Sequence, residues 1–109
     1  MDYAQYFHKS ELTPVICQHM LTGEVLMLGY ANEEALRKTV ETGTAWFFSR
    51  SRQKLWNKGE TSGNVLYVWE IFSDCDDDTL IYQCSPTGPV CHLGTPTCFR
   101  SIWLKEDEE

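Results

Sequence analysis

Val15-Ile16-Cys17-Gln18-His19-Met20-Leu21-Thr22-Gly23-Glu24-Val25-Leu26-Met27-Leu28-Gly29-Tyr30 runs directly into Ala31-Asn32-Glu33-Glu34-Ala35-Leu36-Arg37-Lys38-Thr39-Val40-Glu41-Thr42-Gly43. The first part reads as two strands around Leu21-Thr22-Gly23-Glu24. Thr22-Gly23 is an acceptable turn, and Val25-Leu26-Met27-Leu28 is a buried run. The second part changes period. Asn32 is a good N-cap, and Glu33 and Glu34 lie in the first turn, where the helix dipole favours anions. Leu36 and Val40 share a face, with Ala35 and Thr39 beside them. Gly43 suits a left-handed stop. The spacing predicts a helix over 33–42.

Further along, the chain turns β-rich. Ala45–Phe48 has strand composition, and Glu60-Thr61-Ser62-Gly63-Asn64 is turn material. Val65–Phe72 is a long apolar, aromatic-rich strand, expected to be buried on both faces. Thr79–Cys84 is a further strand, Ser85–Pro89 a loop, and Phe99–Leu104 another strand. The expected class is α+β, mostly antiparallel, with one or two short helices. A parallel βαβ fold needs more helix than the sequence offers. No repeat, low-complexity linker or composition break divides the 109 residues, so one unit over 1–109 is expected.

Hydrophobic residues make up 42% and charged residues 23%, which are globular values. No apolar run approaches the ~18 residues of a membrane span, and the first residues lack the pattern of a signal peptide. A cytoplasmic protein with no membrane partner is expected. The formal charge of −7 makes the chain a poor non-specific binder of nucleic acid. Charge is nevertheless clustered. Arg50, Arg52, Lys54 and Lys58 fall in nine residues without an acid. Half of the acids lie at Asp74, Asp76, Asp77, Asp78 and in the tail Glu106–Glu109, which reads as a solvated, frayed end. One anion site and one cation site are suggested.

The five cysteines, an odd number without a secretory signal, argue against a disulfide scaffold. Cys17 and Cys84 sit in apolar strand patterns and read as packing residues. Cys75 sits among carboxylates, where a small hydrophobe has no place. Cys91, followed by His92, and Cys98 are separated by six residues. Three thiolates suit zinc and leave a fourth position for water. Three scattered cysteines fit other roles as readily. In an extended segment Asp74, Asp76 and Asp78 point to one side. Such a trio suits a hard cation like magnesium, and a solvated acidic loop is the alternative. An EF-hand is excluded, because its sixth and twelfth positions hold Thr79 and Ser85. Alternating Arg50 and Arg52 with Ser49 and Ser51 on a strand suits phosphate oxygens, or else forms a basic edge that resists aggregation. Trp56 is placed to stack on a nucleobase.

Taken in order, Leu26-Met27-Leu28-Gly29-Tyr30, Ser49-Arg50-Ser51-Arg52, Trp56-Asn57-Lys58-Gly59-Glu60-Thr61-Ser62-Gly63, Asp74-Cys75-Asp76-Asp77-Asp78, Cys91-His92 and Cys98-Phe99 resemble the phosphoribosyl-AMP cyclohydrolases of histidine biosynthesis. The resemblance spans about Val15 to Phe99. It implies a metal-dependent hydrolase that opens the adenine ring of N1-(5-phosphoribosyl)-AMP at N1–C6. It also implies an intertwined homodimer whose zinc site is completed across the interface. By that resemblance Cys75, Cys91 and Cys98 are the zinc ligands, and Asp74, Asp76 and Asp78 hold magnesium. Arg50, Arg52, Trp56, Lys58, Glu60 and Ser62 contact the nucleotide, and His92 relays protons. Two positions depart from the family pattern: Asn57 stands for the usual His, and Leu93 for the usual Thr. A related nucleotide as substrate, a non-catalytic zinc module and a metal-free interaction domain are the competing readings.

Overall fold

The computed structural model describes residues 1–107. After a single-turn 3₁₀ helix at Ala4–Phe7, the chain forms β1 (Thr13–His19), β2 (Val25–Ala31), α1 (Glu33–Thr42), β3 (Trp46–Ser49), β4 (Lys54–Asn57), β5 (Leu66–Ser73) and β6 (Leu80–Pro86). The class is α+β and mostly antiparallel. β2, β1, β6 and β5 form one sheet in that order, and β3 with β4 forms a two-stranded ribbon. Among the described residues no helix is long and apolar enough to cross a membrane.

The helix occupies its expected bounds for the expected reasons. Asn32 Oδ1 accepts from the Ala35 amide at 2.8 Å. Gly43 adopts φ +76 and its amide donates to Thr39 O at 2.9 Å. The buried Thr39 hydroxyl donates to Ala35 O and accepts from the Trp46 amide, which fixes the start of β3 against the helix.

β1 and β2 pair antiparallel, as expected, but with an irregularity. Cys17 faces Met27 and Gln18 faces Val25, so Leu26 is an extra residue. Such a bulge leaves its residue outside the ladder, and both Leu26 and Met27 are buried. β1 also pairs with β6 in parallel, Val15 opposite Leu80 through His19 opposite Cys84. The buried residues of both strands, Val15, Cys17, Leu80, Tyr82 and Cys84, meet in the core, so Cys17 and Cys84 are packing residues as expected. Phe47 brings the ribbon onto this core, with its ring 4.9 Å from that of Trp56 and 6.2 Å from that of Tyr82. A Cβ at Gly29 would lie 2.6 Å from the Phe47 ring, so only glycine admits that contact.

Four expectations are corrected. The apolar strand β5 is not buried on both faces: it is an edge strand, and Trp69 forms a bulge between Val68 and Glu70. In the single chain Trp69 is 67% exposed, and Tyr67 and Phe72 are exposed too. Phe99–Leu104 is not a strand; Ile102, Trp103 and Leu104 are exposed and have no ladder partner. Arg50 and Arg52 lie in the β3–β4 turn, not on a strand. Asp74–Asp78 is a tight turn rather than an extended run, with Asp77 at φ +56. Of the acidic tail, Glu106 and Asp107 lie outside regular structure; Glu108 and Glu109 lie outside the described residues.

Candidate active site

The Trp56–Ser62 segment and the loop after β6 are distant in sequence, yet they wall one cavity of about 550 Å³. Arg52, Trp56, Lys58, Glu60, Ser62, Cys91 and His92 all line it. Asn57, Asn64, Pro89 and Val90 complete much of the wall. Arg50 is turned elsewhere, with its guanidinium 5.0 Å from the centre of the Tyr30 ring.

The wall has its shape because two loops interlock. Gly59 has φ +93, and a Cβ there would lie 2.5 Å from Asn64 O, so the 59–64 loop folds tightly on itself. The Gly63 amide closes it onto Gly59 O at 2.8 Å. A Cβ on Gly88 would meet the Asn64 side chain at 2.4 Å. Val65 and Thr87 are joined by backbone and hydroxyl bonds. Asn64 and Gly88 escaped the sequence reading; their glycine-and-amide composition marks a turn but not what packs on it.

Cys91 and Cys98 are brought side by side. Lys58 Nζ donates to Val90 O at 2.5 Å, next to Cys91. The Cys98 amide donates at 2.8 Å to Leu26 O, the carbonyl of the β2 bulge. The Thr97 hydroxyl donates to Val25 O at 2.7 Å. The pKa of the Cys91 thiol is lowered below 9.0, first by the Leu93 backbone and then by the neighbouring Thr95 and Cys98 side chains, while the Thr95 hydroxyl itself donates to Thr97 O at 2.8 Å. Cys98 is pushed up, first by burial and then by the neighbouring Cys91. Lys58 thus lines the cavity and reaches the thiol loop through its ammonium.

Cys75 is elsewhere. It precedes β6 and Cys91 follows it, so the seven residues of that strand separate them by roughly 20 Å. Among the described residues no three His, Cys, Asp or Glu side chains gather closely enough to hold a metal ion. The Asp74–Asp78 turn is held by its own groups. Asp74 Oδ1 accepts from the Asp78 amide at 3.1 Å, and Ser73 Oγ donates to Asp77 Oδ1 at 2.7 Å. Lys9 Nζ reaches Asp78 at 2.7 Å and Asp76 at 3.3 Å. The Cys75 thiol donates to Asp76 Oδ1 at 3.2 Å, which pushes its pKa up. Lys9, 67 residues before Asp76, gave no signal in the sequence.

The family model for phosphoribosyl-AMP cyclohydrolase matches residues 27–100, which include the cavity wall and both thiol segments. The chain belongs to the phosphoribosyl-AMP cyclohydrolase family. A phosphoribosyl-AMP cyclohydrolase of Listeria innocua is 55% identical over 96 residues, covering 88% of this chain and 90% of that protein. The histidine biosynthesis bifunctional protein HisIE of Escherichia coli (strain K12) is 61% identical over 96 residues, covering 85% of this chain and 47% of that protein. The corresponding protein of Salmonella typhimurium is 59% identical over the same length. The chain spans about half the length of these bifunctional relatives. In this chain the cavity joins the motif around Trp56 to that around Cys91.

Proposed function

We propose that this protein is a cytoplasmic phosphoribosyl-AMP cyclohydrolase acting in histidine biosynthesis. It adds water at C6 of the adenine ring of N1-(5-phosphoribosyl)-AMP and breaks the N1–C6 bond, leaving the formimino carboxamide ribotide. The observation that carries this reading is the cavity itself, which runs from the Arg52 turn to the Cys91–His92 loop.

The protein acts as a homodimer over residues 1–109, each subunit a single domain. Cys91 and Cys98 of one copy and Cys75 of the other converge on one zinc ion. The residues fit such an ion: two adjacent thiols, one with a lowered pKa, and a third thiol exposed at the far end of β6. Exposed Tyr67, Trp69 and Phe72 on the edge strand supply apolar surface for a second copy. A zinc ion so held supplies Lewis acidity at the reacting carbon. Asp74, Asp76 and Asp78 hold magnesium once the Lys9 ammonium is displaced.

Arg52 and the hydroxyls of Ser49 and Ser51 bind phosphate at the turn end of the cavity, and Arg50 joins them on leaving the Tyr30 ring. Trp56, Glu60 and Ser62 hold the sugar and base along the wall. Lys58 fixes the Cys91 loop and adds positive charge beside it. His92 carries the proton lost by water to N1 as the ring opens, a role that accounts for about 10²–10⁴-fold in rate.

Ring opening of phosphoribosyl-AMP, measured with the zinc content of the same sample, tests the reading. Turnover is expected to track zinc, and His92→Ala is expected to keep zinc while losing about a hundredfold or more in kcat. Full turnover by zinc-free protein overturns it.

A further inference from the structure

Cys91 and Cys98 lie in backbone outside regular structure, with six residues between them. Irregular backbone samples many conformations unless it is bonded to something rigid. Here the rigid partner is the bulge of β2, where Leu26 stands outside the ladder and is buried together with Met27. The Cys98 amide donates to Leu26 O at 2.8 Å. Thr97 makes the second attachment. Its hydroxyl donates to Val25 O at 2.7 Å, with Leu26 O 3.2 Å away, and accepts from the Phe99 amide at 3.1 Å.

The other thiol hangs from the same residue. Thr97 O accepts from the Thr95 hydroxyl at 2.8 Å, and Thr95 O accepts from the Cys91 amide at 3.1 Å. A run of bonds therefore leads from the Cys91 backbone through Thr95 and Thr97 to β2, and Cys98 is the next residue after Thr97. Both sulfurs refer to one fixed point. The fold itself gains little from this point. Thr97 is half-buried, and water can replace a hydroxyl at an exposed carbonyl such as Val25 O. What the hydroxyl fixes is where the loop stands relative to the sheet.

We propose that Thr97 is the positioning residue of the thiol pair, its hydroxyl latching the Cys91–Cys98 loop onto the β2 bulge so that both sulfurs are in place before a metal ion arrives. The proposal rests on the zinc-site reading above and adds the residue that sets the affinity. Groups that orient metal ligands without touching the metal are worth about 10–100-fold in affinity. The β2 bulge gains a purpose by the same reasoning, since bulges are common beside active sites. A regular β2 would present Val25 O and Leu26 O to its neighbours in a different register, and the loop would lose its dock.

Zinc affinity, measured by competition with a chromophoric chelator, and the melting temperature of the zinc-free protein separate positioning from mere support of the fold. Thr97→Val keeps the shape and removes the hydroxyl. It should weaken zinc binding about tenfold and lower the zinc-free melting temperature by no more than a few degrees. Thr97→Ser restores the hydroxyl without the methyl group and should bind zinc within about twofold of wild type. Thr97→Val that binds zinc as tightly as wild type overturns the assignment, and so does Thr97→Ser that binds as weakly as the valine variant. A valine variant that fails to fold, or that melts far lower without zinc, makes Thr97 a structural residue and overturns it too. Wild-type protein that holds zinc and opens phosphoribosyl-AMP while Thr97→Val binds zinc equally well loses only Thr97. Wild-type protein that takes up no zinc loses the metal site and Thr97 with it. Wild-type protein that binds zinc but opens no ring loses the hydrolase reading, and the valine and serine affinities still decide Thr97.

Discussion

The Asp74–Asp78 turn and the Val90–Cys98 loop both present cysteines from irregular backbone, but they are anchored differently. The loop is tied to distant, mostly buried structure: to β4 through Lys58, and to the β2 bulge through Thr97 and Cys98. The Leu93 backbone beside Cys91 favours its thiolate. The turn is tied largely to itself and to Lys9 and His8 of the N-terminal segment. Its carboxylate Asp76 favours the protonated Cys75 thiol. One region is prepared to receive a cation, and the other offers a ligand still held as an acid. On the proposed reading each is half of a site, and neither half works inside one chain.

The strongest test of that contrast mixes two inactive chains. Cys75→Ser and Cys98→Ser should each lose zinc and essentially all turnover while folding normally. In a two-fold dimer with shared sites, equal mixing after refolding makes half of the dimers mixed, each with one intact site. About a quarter of wild-type activity should then return. A mixture as dead as its parts removes the shared site and leaves Cys75 with no part in it.

How much of this could be read in the sequence follows from how local each cause is. The helix was legible because Asn32, Glu33, Glu34 and Gly43 act on their own neighbours. Trp56 and Arg52 were read in one segment and line one cavity, although the alternating Arg-Ser pattern was read as a strand where the chain turns. The β1–β6 pairing was not legible, since no residue between Val15 and His19 indicates a partner 65 residues away. Nor was β4, whose four residues, Lys54-Leu55-Trp56-Asn57, lack a strong alternating pattern. Val65–Phe72 misled because apolar composition reports burial without saying by what; one face of β5 is open in the single chain. The Asp74–Asp78 carboxylates were read as a hard-cation site or a solvated acidic loop, and neither reading included Lys9, which enters only through tertiary structure.

Gly59 sharpens the contrast through stability. The loop carrying it supports the cavity wall and has no part in the acidic turn. Gly59→Ala places a Cβ against the Asn64 backbone at φ +93, so it should destabilise the fold by about 2 kcal/mol or more. Denaturant unfolding measures this. A change within experimental error means that the 59–64 loop shifts freely and is not the rigid wall described here.

Lys9 should give the smallest effect on stability and the most specific one on the acidic turn. Its ammonium is exposed and bridges the exposed Asp76 and the half-buried Asp78, so the bridge adds little to the fold. The sign of its pH dependence is fixed. Asp76 is held below 3.8 by the Cys75 thiol and by Lys9, and Asp78 by Lys9 and Asp74; what they contribute is present above 3.8 and lost as pH falls through the lowered values. Lys9 is held above 10.5 by Asp78 and Asp76; its contribution is present below 10.5 and lost as pH rises through the raised value. Lys9→Met should therefore leave the melting temperature almost unchanged at neutral pH, and any small difference should vanish in strong acid. The same substitution frees Asp76 and Asp78 from the cation that now occupies them. Magnesium, titrated calorimetrically into the zinc-loaded protein, should then bind the variant a few-fold more tightly than wild type. Equal or weaker magnesium binding in Lys9→Met means that the turn is closed by its own hydrogen bonds and does not exchange one cation for another.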